Sequence, residues 1–274
     1  MVFFLLLLPF LMQSCQEKSE NETSNLEYDS PDTEVSDQRY AKLDDGTKVS
    51  IEDGLKQAER VEKIMIRSQN LERIPESYKA FVNLKDLNLR VNEIQVIPEF
   101  IGDFHYLEVL FVYGNQIGEL PASIGKLENL EFIMLAENKL KSLPNEFCNL
   151  KHLEKCDLNN NQIESLPECI GDLEHLEKFN LENNKLHTLP NSIGKLKNLE
   201  RLFLSGNALT QLPESIGEMT NLRELELEDN QLTKLPESIF NLDSLGTLNL
   251  WGNPLSKEEV ARIREKLPNC LIGF

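Results

Sequence analysis

Residues 199–221 read LERLFLSGNALTQLPESIGEMTN, and residues 222–244 read LRELELEDNQLTKLPESIFNLDS. Aligned on Leu199 and Leu222 as position 0, the two stretches agree in pattern throughout. Apolar residues stand at positions 3 and 5, Asn at 8, Leu at 10, Leu-Pro at 13 and 14, and apolar residues again at 17 and 20. Working outward, Leu84, Leu107, Leu130, Leu153, Leu176, Leu199, Leu222 and Leu245 are each 23 residues apart, and Val61 extends the series one step back. Asn occupies position 8 in eight of the nine units, from Asn92 to Asn253, with Gln69 in the first. A fixed period of this length is the mark of a stacked-repeat architecture.

Each position predicts a physical role. Apolar residues at 3 and 5 read as a short strand with one buried face, and successive strands stack in parallel about 4.8 Å apart. A buried Asn amide donates and accepts at once, so it is expected to stitch each unit to the next as a ladder. The Pro at position 14 forbids a long helix on the return segment. Gly at position 18, as in Gly125 and Gly194, is read as permitting a tight turn on the outer side. Cys148 and Phe240 replace it in two units.

The pattern LxxLxLxxNxLxxLPxxIGxLxx over residues 61–255 resembles the leucine-rich repeat family in its 23-residue form. That resemblance implies an α/β fold: a leucine-rich-repeat solenoid, or horseshoe, with a parallel concave sheet and short turns or 3-10 segments outside. Both ends of such a stack need covering. Ser50-Ile51-Glu52-Asp53 starts a cap helix within an N-terminal cap at 41–60, and Ser256-Lys257-Glu258-Glu259 starts a second in the C-terminal cap at 256–274. The last residues, 269–274, read as an edge strand.

At the other end, Val2 to Met12 are almost all apolar, too short a run to span a bilayer but of signal-peptide length. Met12-Gln13-Ser14-Cys15 follows and resembles the lipobox of bacterial lipoproteins, although no Lys or Arg precedes the apolar run. The resemblance implies a signal peptide at 1–14 and lipidation of Cys15. An ordinary secretory signal with an incidental Cys is the alternative. From Gln16 to Asp37 the chain is acidic and polar, so 15–40 is read as an extended, lipidated tether. The expected location is the bacterial cell envelope, at the outer membrane, on either its inner or its surface-exposed face.

Composition narrows the function. The chain has 274 residues, 40% of them hydrophobic, and a formal charge of -18. An excess of carboxylates opposes nucleic-acid binding, which needs clustered Lys and Arg. No GxGxxG, P-loop, HExxH or GxSxG motif occurs, so no enzyme and no cofactor is expected. The five cysteines show no zinc spacing, and Cys148 and Cys169 lie in adjacent units without spacing alone pairing them. His152 and His175 share position 22 and are expected to stack rather than hold a metal.

By family resemblance the binding surface is the concave face, built from positions 2, 4 and 6. Val109, Phe111, Tyr113, Phe132 and Met134 are expected to form an exposed apolar patch there, flanked by Arg67 and Arg90, with Met65 beside them. Phe203 and Trp251 lie further along, Lys155, Lys178 and Arg201 run down one edge, and Glu224, Glu226 and Glu228 read as a solvated acidic face. These readings point to a monomeric scaffold that binds a protein or extended peptide and is held to the membrane through Cys15. A cytosolic signalling scaffold and a glycan-binding surface protein are the alternatives.

Overall fold

The computed structural model describes residues 39–274. The expected signal peptide, Cys15 and most of the expected tether lie outside the described residues. Among those described, no helix is long and apolar enough to cross a membrane.

Ten strands form a parallel sheet in sequence order. They are β3 (Val61–Ile66), β4 (Asp86–Asn88), β5 (Val109–Phe111), β6 (Phe132–Met134) and β7 (Lys155–Asp157), then β8 (Lys178–Asn180), β9 (Arg201–Phe203), β10 (Glu224–Glu226), β11 (Thr247–Asn249) and β12 (Leu271–Gly273). From β3 to β11 each residue pairs with the one 23 positions on, as Leu87 with Leu110 and Leu202 with Leu225. Within one unit Leu199, Leu202, Leu204, Leu209, Leu212, Ile216 and Met219 are all buried. Burying one such side chain stabilises by about 1.5–3 kcal/mol, so a unit has a core only when neighbours cover it.

The Asn ladder is continuous. Asn115 Nδ2 donates to the carbonyls of Leu89 (3.0 Å) and Val112 (2.8 Å), while its Oδ1 accepts from the Ile94 amide (3.0 Å). The same three contacts recur at Asn253, to Leu227, Leu250 and Leu232. The residue before each ladder position is left-handed in all nine units, as Val91 (φ 56), Asn183 (φ 53) and Gly206 (φ 68). This requirement was not read from the sequence, because only three of the nine residues are glycine. On the return side, Pro at position 14 starts the 3-10 turn in seven units, with φ between -71 and -63.

Position 18 corrects the sequence reading. Its glycines have no positive φ. Instead, a Cβ on Gly125 would collide with the Glu146 carbonyl oxygen, and one on Gly194 with that of Ser215. Glycine is required by close approach of the next unit, not by a tight turn. Where Cys148 stands in its place, the residue it would strike is Cys169, and the two form a disulfide with Cα atoms 5.9 Å apart. The following 3-10 turn shortens to Ile170–Asp172. Phe240 is tolerated because the cap, not another repeat, follows it, and Arg262 lies over its ring at 4.9 Å.

The caps close both ends. Helix α1 (Ile51–Leu55) is capped by Ser50, whose Oγ accepts from the Asp53 amide at 3.0 Å. Helix α2 (Lys257–Lys266) is capped by Ser256, and its Glu259 and Arg262 take up the amide and carbonyl of Leu235 at 2.8 Å each. A hairpin absent from the sequence reading precedes α1: β1 (Arg39–Leu43) pairs antiparallel with β3 and with β2 (Lys48–Val49). Arg39 and Tyr40 therefore belong to the fold and not to the tether. The overlooked signal is Asp45-Gly46, with Gly46 at φ 86, a turn pair that favours hairpins.

The close-approach account makes a prediction. Gly194→Ala should cost about 1–3 kcal/mol in denaturant unfolding, the range for overpacking. Gly118→Ala, where an added Cβ meets nothing within 4 Å, should be near neutral. Equal effects at the two positions would refute it.

Candidate interaction surface on the concave face

Strand alternation sends positions 3 and 5 into the core and positions 2, 4 and 6 to the inner face. Parallel register then sets equivalent positions side by side. Val109 adjoins Phe132 and Phe111 adjoins Met134, so the structure does bring the expected apolar residues together. It does not leave them exposed. Val109, Phe111, Met134 and Met65 are buried, at 3–7% exposure, and Phe132 and Tyr113 are half-buried. The reason is spacing: side chains on strands this close cover one another. The patch is a packed apolar floor, with half-buried Arg67 and Arg90 at position 6 of the two preceding units.

Phe203 and Trp251 are not part of that floor. Phe203 sits on β9, three strands beyond Phe132, and is half-buried. Trp251 is 56% exposed, and its ring lies against Gly273 at the end of the stack. The structure thus distributes the predicted partner residues over three places on the inner face.

The central units carry a charged cluster that the sequence reading recognised only at its edges. The Lys155 ammonium lies 5.2 Å over the Phe132 ring, and that of Lys178 lies 5.1 Å over Phe203. Burial lowers the Lys178 pKa, and the Arg201 charge adds to this. Burial pushes the Asp157 carboxyl up to about 6, although its Oδ1 accepts from the Asn159 amide (3.1 Å) and side chain (2.9 Å). Burial, then the charges of Glu226, Asp157 and Glu228, push Glu182 up to about 7. Glu226 is raised by burial as well. The acidic trio is therefore no uniform solvated face: Glu224 pairs with Arg201 at 3.7 Å, and Glu226 and Glu228 face Glu182. Asp157, Asn180 and Glu182 were missed because no apolar or aromatic residue marks positions 4 and 6 of units five and six.

On the outer side, His152 and His175 stack with centroids 5.6 Å apart. His175 Nδ1 donates to the Lys151 carbonyl at 2.7 Å, as Asn129 and Asn198 at the same position donate to His105 and Glu174. These side chains form a second inter-unit ladder. Among the described residues no group of three His, Cys, Asp or Glu is placed to hold a metal ion.

The family model for a leucine-rich repeat region matches residues 67–159 and 145–231, and that for a single leucine-rich repeat matches 221–242. This chain belongs to the leucine-rich repeat family. No curated protein matches it significantly. Among solved structures, the plant peptide hormone receptor RGFR1 in complex with RGF2 is 28% identical, with a TM-score of 0.58 over 77% of this chain and 39% of the receptor. The PEPR1–AtPEP1 structure is 32% identical, with a TM-score of 0.65 over 71% of this chain and 28% of that one. A Leptospira interrogans leucine-rich repeat protein is 24% identical, with a TM-score of 0.34 over 82% of this chain and 98% of that one. This chain thus spans less than half of the RGFR1 and PEPR1 chains.

The raised carboxyl predicts a pH dependence with a definite sign. Glu182 binds its proton more tightly folded (about 7) than at its ordinary value of 4.5. Its ionisation therefore opposes folding, and stability falls as pH rises from 4.5 through 7. The charges facing it are Asp157 on β7, Lys178 on β8, and Glu226 and Glu228 on and after β10. Glu182→Gln should stabilise the protein clearly at about pH 8 and little at about pH 4, in paired denaturant titrations. The same change at both pH values would contradict this origin.

Proposed function

We propose that this chain is a membrane-anchored, extracytoplasmic scaffold that binds a protein or extended peptide on the concave face of its repeats. The observation that carries the reading is the half-buried pair Tyr113 and Phe132 on the inner face of the sheet, set on an apolar floor of Val109, Phe111 and Met134, where positions 2, 4 and 6 are not needed for the core. Aromatic and apolar floors edged by charge supply the central contacts of protein interfaces. The likeness to a peptide hormone receptor supports a peptide-type partner.

The anchor rests on Met12-Gln13-Ser14-Cys15 behind an apolar run. The Cys148–Cys169 disulfide fits an oxidising, extracytoplasmic compartment. Lipid on Cys15 would hold the repeats at the bacterial envelope, on the outer membrane. The two-residue β2 and three-residue β12 leave short sheet edges, which suits a monomer. The scaffold presents residues for binding rather than catalysis.

Capture of the tagged protein from its native membrane in mild detergent, with intact mass spectrometry, tests both parts. The bait should begin at Cys15 and carry acyl mass, and a partner should elute with it. Tyr113→Ala with Phe132→Ala, both half-buried, should lose that partner by about tenfold or more. A bait retaining Met1 without lipid would overturn the anchor. A partner held fully by the double variant would overturn the concave-face reading.

A further inference from the structure

Units five to eight carry a column of cations at position 2 of the inner face and spaced carboxylates at positions 4 and 6. Position 2 presents Lys155, Lys178 and Arg201 on adjacent strands, each beside the next in register. Arg201 adjoins Glu224, where the column changes sign. Positions 4 and 6 present Asp157, Glu182, Glu226 and Glu228. The cations at position 2 are neighbours, whereas the carboxylates are spaced: Asn180 and Phe203 separate Asp157 from Glu226 at position 4, and Ser205 separates Glu182 from Glu228 at position 6. Glu228 accepts from Asn249 at 3.1 Å. Glu182 is half-buried, and the carboxylates of Glu226, Asp157 and Glu228 act on it against Lys178.

A second observation is independent of charge. Asn180 lies between Asp157 and Phe203 in the register, on the same face, and is fully buried. Its Oδ1 accepts from the Glu182 amide at 3.0 Å, and its Nδ2 has no hydrogen-bond partner. A buried donor of this kind is costly, and a main-chain carbonyl is the acceptor it suits.

We propose that units five to eight bind an extended peptide segment of alternating cationic and anionic residues, laid along the solenoid axis across β7 to β10. The proposal deepens the concave-face reading and rests on it. An extended chain sends successive side chains to opposite sides. Positions 2 and 6 are four residues apart, about 13 Å at roughly 3.3 Å per residue, which leaves room for a backbone between the columns. Three strand spacings cover about 14 Å, the length of about four extended residues. Lys or Arg of the ligand points to Glu182 and Glu228 at position 6, and Asp or Glu points to Lys155, Lys178 and Arg201 at position 2. A uniformly cationic ligand satisfies one column and is repelled by the other.

The test is fluorescence polarisation with the full chain at about 0.15 M salt, where long-range charge effects are screened. Four blocked, labelled octapeptides serve as probes: alternating Lys and Glu, alternating Lys and Ser, alternating Glu and Ser, and Ser alone. The Lys-Glu peptide should bind about tenfold or more tighter than each of the others. Glu182→Gln with Glu228→Gln should weaken it by about tenfold. Glu128→Gln with Glu174→Gln, the same charge change on exposed outer residues, should leave it unchanged. Equal binding of the Lys-Ser peptide, equal loss in the outer variant, or no binding of any probe would overturn the proposal. A native partner lost by Tyr113→Ala with Phe132→Ala but kept by the Glu182→Gln, Glu228→Gln pair would sink this inference and leave the concave-face reading standing.

Discussion

Each ladder asparagine joins two units through a side chain that must be donor and acceptor at once. Asn161 shows the demand: its Nδ2 reaches Leu135 and Leu158 carbonyls at 3.0 Å, and its Oδ1 takes the Leu140 amide at 3.0 Å. Aspartate supplies no donor there, and serine is too short to span both directions. The requirement fixes the length of every unit. An inserted residue would shift the ladder side chain off three buried backbone groups at once. The same insertion would misplace the Gly194 approach to Ser215 and the Asn198 bond to Glu174. Three independent contacts thus share one period, which is why no unit between Val61 and Leu245 departs from 23 residues.

The ladder has a local cost, met by composition. The left-handed residue before it costs about 1–2 kcal/mol in most side chains. Asn160, Asn183 and Asp229 tolerate that conformation and Gly114, Gly206 and Gly252 are free in it, while Val91 is the least suited. Glycine serves a different end at position 18, and there the disulfide takes over where Cys148 replaces it. Cys148 and Cys169 stand at the two atoms that elsewhere pack as Cα against carbonyl. The bridge therefore takes the place of the glycine contact between the units that begin at Leu130 and Leu153.

The repeat, its strand positions, the Asn ladder and both cap helices were legible in the sequence because each depends on local spacing. What escaped depends on geometry between units. The inner face looked exposed because Val109, Phe111 and Met134 project from the core side of no strand, yet neighbouring side chains cover them. The β1–β2 hairpin escaped because Arg39–Leu43 is short and follows an acidic stretch, leaving Asp45-Gly46 as its one sharp mark. Asp157, Asn180 and Glu182 escaped because they come from two units and become a cluster only when β7 and β8 pair. For function, the consequence is that the inner face is free to vary: the ladder, core and glycine approach use positions 0, 3, 5, 8, 10, 13, 17, 18 and 20, and leave 2, 4 and 6 to chemistry.

Amide hydrogen exchange on Asn161→Ala tests that dependence most directly. The account predicts faster exchange at Leu140, whose acceptor is removed, together with protection lost in the units on both sides and a stability loss of about 1–3 kcal/mol. Unchanged protection at Leu140 and its neighbours, with stability within about 0.5 kcal/mol of the parent, would contradict the claim that the ladder holds the units in register.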